Sequence, residues 1–305
     1  MYLHKDTNKF KTLIKATANV IGKSESLIEK DYYVFMLLKK VVAEVPDVVF
    51  KGGTSLSKAY GIIDRFSEDI DLCLVADKMN SNKARKKLNT AISKNIKELG
   101  LRQYLGIKGT VDWAGDYLDI RGGYNKLASD SIVEPYVKVE TAFRIAEYPH
   151  EKKEISSYIG DYLSKIAPSA MNEYGLQPFV VETVHPARTF IDKLFALGDY
   201  YIQGKNTKYS RHMYDIYMIS KHIGPKGIEK LKELYPKVKD SRKGKRGCSS
   251  AEDGASLKQI LINAMTNDFY KNDYENLTSQ LLYTDVTYEE CKQTLFKIIN
   301  SGIIN

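Results

Sequence analysis

The chain has 305 residues, enough to bury a full core and to form two lobes, and its 46 Lys and Arg against 38 Asp and Glu leave a formal charge of +8. That surplus favours a polyanionic partner, while no apolar run approaches the ~20 residues that a membrane-crossing helix requires. The cysteines, Cys73, Cys248 and Cys291, form no C-x-x-C pair, which argues against a zinc site or a disulfide framework, and the charged stretch from Met1 to Lys15 does not resemble a signal peptide, so the chain reads as cytosolic.

In chain order, Phe10 to Val20 and Ser26 to Glu44 read as helices, the second opened by Ser26 with Glu29 in capping-box position. A β-bearing core follows, with strands expected at Val48 to Lys51, Asp69 to Val75, Tyr117 to Arg121, Ile132 to Thr141 and Pro178 to Val184. Between them, Asn82 to Leu99 places Leu88, Ile92, Ile96 and Leu99 at helical spacing. Its Arg85, Lys86, Lys94 and Lys97 then form a solvated face, not an RNA contact. Pro186 suits the first turn of another helix, on which Phe190, Leu194, Leu197 and Tyr201 keep the helical spacing with Lys193 inside the same stripe. The basic run Lys237 to Gly247 reads as a break between helical regions, either a solvated loop or a clamp on an RNA backbone. Leu257 to Met265 and Tyr288 to Ile299 read as C-terminal helices. The expectation is an α/β protein, with N-terminal helices and a mixed core over residues 1–184 and a mainly helical region over 185–305.

The motif-rich segment is Lys51-Gly52-Gly53-Thr54-Ser55-Leu56-Ser57-Lys58, followed by Ser67-Glu68-Asp69-Ile70-Asp71-Leu72. It joins a glycine turn opening a helix to a strand bearing carboxylates. Unpaired N–H groups at such a helix start suit phosphate oxygens, and the glycines allow close approach to the backbone. Alternation along a strand turns Asp69 and Asp71 to the same side, where their repulsion is relieved by a cation. Hard oxygen ligands at that spacing suit Mg2+, which completes its shell with water and substrate phosphates. The Walker phosphate loop and the calcium loop both fail here: Lys58 follows Ser57 instead of the Walker Gly, and Cys73 and Leu74 stand where the calcium loop needs a ligand and a glycine.

These residues resemble motif I of the AbiEii/AbiGii abortive-infection nucleotidyltransferases, of the polymerase-β-like superfamily, through Phe50-Lys51-Gly52-Gly53-Thr54-Ser55-Leu56-Ser57-Lys58-Ala59-Tyr60 and Asp64-Arg65-Phe66-Ser67-Glu68-Asp69-Ile70-Asp71-Leu72. His185-Pro186-Ala187-Arg188-Thr189-Phe190-Ile191-Asp192-Lys193-Leu194 and Arg211-His212-Met213-Tyr214-Asp215-Ile216-Tyr217 resemble the later motifs, which contribute a lysine and an aspartate to the active site. The matches keep the family order from Phe50 to Tyr217.

The resemblance implies a nucleotidyltransferase fold, a mixed sheet with flanking helices, and a magnesium-dependent toxin with a cognate antitoxin. Its reaction would move a nucleoside monophosphate from an NTP to an acceptor hydroxyl, the 3′ end of tRNA. In that reading Gly52, Gly53, Thr54 or Ser55, and Lys58 hold the triphosphate, Asp69 and Asp71 hold Mg2+, and Lys193 and Asp215 act beside them. The superfamily supplies a third metal-binding acid, for which Glu140 is the candidate and Asp119 the rival. A lysine on an apolar face must snorkel or meet an anion, and the resemblance favours a nucleotide phosphate for Lys193. Without the resemblance, Asp215 would be a structural partner of Arg211 or Lys193, and His212 a structural histidine. The alternatives are nucleotidylation of a protein or small molecule, or a non-catalytic RNA- or antitoxin-binding protein.

Overall fold

The computed structural model describes residues 1–304 except 66, 68, 106–116, 131–132 and 144–147, and the backbone alone at 104, 105, 225, 226 and 228. Phe66 and Glu68 of the motif and the start of the strand expected from Ile132 thus lie outside the described residues. The chain divides into two compact units: one takes 1–59, 68–146 and 150–183, and the other takes 60–67, 147–149 and 184–305.

The first unit is built on a mixed sheet. Its strands are β1 (Val48–Lys51), β2 (Ile70–Leu74), β3 (Arg102–Leu105), β4 (Tyr117–Gly123), β5 (Tyr136–Ala142), β6 (His150–Ile155) and β7 (Phe179–Val184), in the order β3-β4-β5-β2-β1-β7-β6. β1 runs antiparallel to β2 and parallel to β7, while β5 runs parallel to β2 and antiparallel to β4. Helices α1 (Thr7–Ile21), α2 (Glu25–Glu44), α3 (Gly52–Lys58), α4 (Ala76–Met79), α5 (Asn82–Glu98), α6 (Tyr158–Ile166) and α7 (Pro168–Glu173) complete the unit. The expected strands are all present within a residue or two except at Ile132, where β5 starts at Tyr136.

Register sorts the sheet into two faces. Ile70 lies beside Val139 and Leu72 beside Thr141 across β2 and β5, and Ile120 lies beside Val139 across β4 and β5. All five are buried, and α5 covers this side: a Cβ on Gly122 would touch Leu101 and Ile96. On an alternating strand the residues in between must face the other way, which leaves Asp71, Glu140, Lys138, Asp119 and Arg121 together on the opposite face.

One helix start differs from expectation. The cap of α2 is Ser24, whose hydroxyl accepts from the Leu27 N–H at 3.3 Å, not Ser26. Ser26 lies inside the first turn and gives its hydroxyl to Asp130, and Glu29 accepts from the N–H groups of Leu127 and Ala128 at 2.9 and 3.0 Å. Both side chains are spent on a distant loop, so neither can form the local box.

The second unit is mainly helical, with α8 (Pro186–Ile202), α9 (Arg211–Arg242), α10 (Leu257–Thr266), the short α11 (Lys271–Asp273) and α12 (Tyr288–Asn300). His185 caps α8 by accepting from Ala187 N–H at 3.1 Å, and Pro186 takes the first helical position as its fixed φ allows. α9 is interrupted at Gly224, where φ is +60° and ψ is −176°, as a residue ahead of Pro225 tends to leave the helical region. The basic run 237–247 is therefore helical through Arg242, and the turn begins only at Lys243. Arg242 could not be a solvated clamp: it is buried and paired with Asp192 and Asp199 at 3.0 and 2.9 Å. Among the described residues no helix is long and apolar enough to cross a membrane.

Candidate active site

In the first unit, the chain leaves β1 and turns sharply at Gly52, with φ at +79°. A side chain at this position would be strained by that φ and would also collide with the sheet, because a Cβ would sit 2.0 Å from Asp71 Oδ2. Gly52 thus lets the Asp71 carboxylate lie directly against the backbone at the start of α3. Gly53, Thr54 and Ser55 follow in the first turn; Thr54 and Ser55 are buried, and the Ser55 hydroxyl donates to Gly52 O at 2.9 Å. Lys58, expected on the phosphates, is drawn elsewhere. It pairs with the buried Asp31, whose other oxygen accepts from Tyr158 N–H at 2.9 Å. A half-buried ammonium needs a counter-ion, and Asp31 on α2 supplies one.

Asp71 on β2 lies in register with Glu140 on β5, and Glu140 in turn with Asp119 on β4. Burial, reinforced by the negative charges of Glu140 and Asp69, pushes the Asp71 carboxyl up to about 7. Burial also acts against the charged form of Glu140, but the Lys138 ammonium and the Tyr117 hydroxyl, donating at 2.5 Å, bring its pKa below the usual range. Lys138 touches Glu140 and lies 3.6 Å from Asp69 Oδ2. Asp119, the rival third acid, is engaged by Arg121 at 3.3 Å. Among the described residues no three His, Cys, Asp or Glu side chains converge as a preformed metal centre. The donor set still fits a divalent cation in kind, since these are hard carboxylate oxygens that hold one another's charge off.

The second unit gathers a different cluster. Asp215 on α9 is fully buried and receives Arg65 twice, Nε to Oδ1 at 2.6 Å and Nη2 to Oδ2 at 2.8 Å, with Lys193 Nζ of α8 at 2.6 Å from Oδ2. Burial works against the Asp215 anion, but Arg65 and Lys193 overcome it and hold the carboxyl well below the carboxylate range. Burial depresses Lys193, with Asp215 countering and Arg65 adding to the depression. His212 Nδ1 lies 3.2 Å from Lys193 Nζ, and burial together with Lys193 and Arg211 drives the imidazole far below its ordinary value. A neutral ring can accept the Lys193 hydrogen bond.

Lys193 and Asp215 are thus brought together, and the second cation on Asp215 is Arg65, which the motif reading does not single out, not Arg211. The available signal was position alone: Arg65 lies inside the quoted run Asp64-Arg65-Phe66-Ser67. It is held in the second unit by a bridge to Leu282, by the Tyr283 N–H donating to Asp64 O at 3.0 Å, and by the Asp64 N–H donating to the Tyr214 hydroxyl at 3.2 Å.

A mixed sheet with acids against a glycine turn is the architecture of the nucleotidyltransferase class, and the family comparison agrees. The profile described as nucleotidyl transferase AbiEii toxin, type IV TA system, matches residues 37–294, and the chain belongs to this family of nucleotidyltransferase toxins of type IV toxin–antitoxin systems. Its fold is similar to that of MenT4, a nucleotidyltransferase toxin of Mycobacterium tuberculosis H37Rv, with a TM-score of 0.55, 17% identity, and 94% of this chain and 88% of that chain covered. JHP933 from Helicobacter pylori aligns over 90% of each chain at 18% identity with a TM-score of 0.43. No curated protein sequence matches the chain.

Proposed function

We propose that the protein transfers a nucleoside monophosphate from an NTP to the 3′-terminal hydroxyl of tRNA, releasing pyrophosphate, and that a cognate antitoxin restrains it. The observation that carries this reading is the surplus of carboxylates around Asp71, pressed against the Gly52 turn. In the proposed site Gly52, Gly53 and Thr54 offer backbone to the triphosphate; Ser55 braces the turn through Gly52 O. Asp69 and Asp71, with Glu140, would hold Mg2+. When bound there, the cation would supply charge to the triphosphate and lower the pKa of the acceptor hydroxyl. A carboxylate of this cluster that the cation leaves free would take the hydroxyl proton. By the resemblance of its motif Lys193 would contribute positive charge to phosphoryl oxygens, and within the second unit Asp215 and His212 fix the direction of its ammonium. The formal charge of +8 suits an RNA acceptor.

The test is incubation of the purified chain with total RNA, Mg2+ and each labelled NTP in turn, followed by sizing of the labelled product. Label on RNA of tRNA length supports the reading, and label on protein or small molecules alone refutes the acceptor. In bacteria, expression of the chain should slow growth reversibly and the Asp71→Ala form should not; equal toxicity at matched levels would count against toxicity by transfer.

A further inference from the structure

Lys138 stands out among the charged residues of the sheet face. Its neighbours on that face are Asp69, Asp71, Asp119 and Glu140; of the other cations there, Arg121 is engaged by Asp119 and Lys51 lies beside Asp71 on β1. Lys138 touches Glu140 and approaches Asp69 to 3.6 Å, so one ammonium serves two of the three carboxylates that the proposed cation would also use. The side chain keeps 20% of its surface exposed, and its flexible four-carbon stem gives the ammonium a route to solvent. A lysine fixed for structure would balance the acids around it; here acid remains in excess after Lys138 is counted.

We infer that Lys138 is an internal counter-ion that competes with the divalent cation, holding the carboxylates together in the metal-free protein and swinging off Glu140 when the cation arrives. The inference rests on the reading of Asp69, Asp71 and Glu140 as cation ligands. Lys138 is then a positioning residue: it touches neither substrate nor reacting atoms, and it sets how readily the cation is taken up. Because two positive charges cannot share the same oxygens, deleting the ammonium must favour the cation.

The experiment uses the full chain without nucleotide. Mn2+ binding is measured by the electron paramagnetic resonance signal of the free ion for the wild type, Lys138→Met, Lys138→Gln, Lys138→Arg and Asp71→Asn. Melting of each is followed with and without saturating Mn2+. Removal of the ammonium in Lys138→Met or Lys138→Gln should tighten Mn2+ binding at least about tenfold, a little more than one close charge pair is worth in bulk water. The same variants should melt lower than the wild type without metal and regain the difference with Mn2+. Lys138→Arg, which keeps the charge, should stay near the wild type. Unchanged or weaker Mn2+ binding in both neutral variants, in a protein whose binding is lost in Asp71→Asn, overturns the counter-ion role alone. If no form binds Mn2+, or Asp71→Asn binds as the wild type does, the cation-ligand reading fails and takes the inference with it.

Discussion

The two charged clusters of this protein are mirror images in the sign of what they lack. On the sheet face of the first unit carboxylates outnumber cations, and Asp71 is held near neutrality; in the second unit a single buried carboxylate, Asp215, is shared by Arg65 and Lys193. A third network shows what balance looks like. Arg188 and Arg242 meet Asp192, and Arg242 also meets Asp199, which accepts from Ser250 N–H at 2.8 Å, so cations and anions match. Balanced clusters of this kind hold helices together, whereas clusters with a surplus have charge left for a ligand of opposite sign. The acid-rich face is suited to a cation and the Lys193 cluster to an anion.

The comparison breaks most decisively at the acid-rich face. Asp69→Ala and Asp71→Ala should each lower nucleotide transfer by about a thousandfold while the circular dichroism spectrum stays that of the wild type, the upper end of the scale of a lost electrostatic contact at a reacting centre. Normal transfer by either folded variant would refute the assignment. Next in size is Asp215→Ala, which strands two buried cations and should cost about 3–5 kcal/mol in denaturant unfolding. A loss below about 1 kcal/mol would mean that the surplus charge there is already screened.

Asp215 also fixes a pH dependence. Its folded pKa lies below its unfolded value, so its contribution to stability is fully present above about pH 4 and is lost as pH falls through the folded value. Asp215→Asn should therefore be less stable than the wild type at pH 7, with the gap narrowing toward pH 2. A constant gap across that range would place the acid sensitivity elsewhere.

If the proposed role holds, Lys193→Ala should lower single-turnover transfer by about a hundredfold even with saturating acceptor, the scale of one lost electrostatic contact at a reacting centre. Wild-type turnover would mean that the family role does not hold at this position. The smallest effect is expected from the turn after α9. Lys245 and Arg246 are exposed, but Lys243 meets Asp253 at 2.7 Å, so neutralising all three should lower the salt slope of RNA binding by about two units, not three. An unchanged slope identifies a solvated turn.

Much of this was legible in the sequence because the motifs are contiguous. Val48 to Lys51 is an apolar strand running into glycines, and the alternation of Asp69 and Asp71 with Ile70 and Leu72 settles their face without reference to the rest of the chain. The outer strands were illegible for a physical reason. β3 and β6 are the two edges of the sheet, and His150-Glu151-Lys152-Lys153-Glu154-Ile155 carries the charges that edge strands use against aggregation, with no apolar alternation to read. By pattern Ser26, with Glu29 three residues on, is the better cap, and only distant partners, Asp130 for Ser26 and the 127–128 backbone for Glu29, leave the cap to Ser24. The partnership of Arg65 with Asp215 spans 150 positions, and no local periodicity encodes it.

That long span has a consequence for synthesis on the ribosome. Residues 60–67 emerge early, yet they belong to the unit whose remaining body is almost all in 184–305. Domains generally fold as they emerge, but Arg65 must wait for Asp215, and the strand bridge beside it must wait for Leu282. A nascent chain halted before Asp215 therefore lacks the carboxylate that Arg65 and Lys193 share, and one halted before Leu282 lacks the strand bridge beside Arg65.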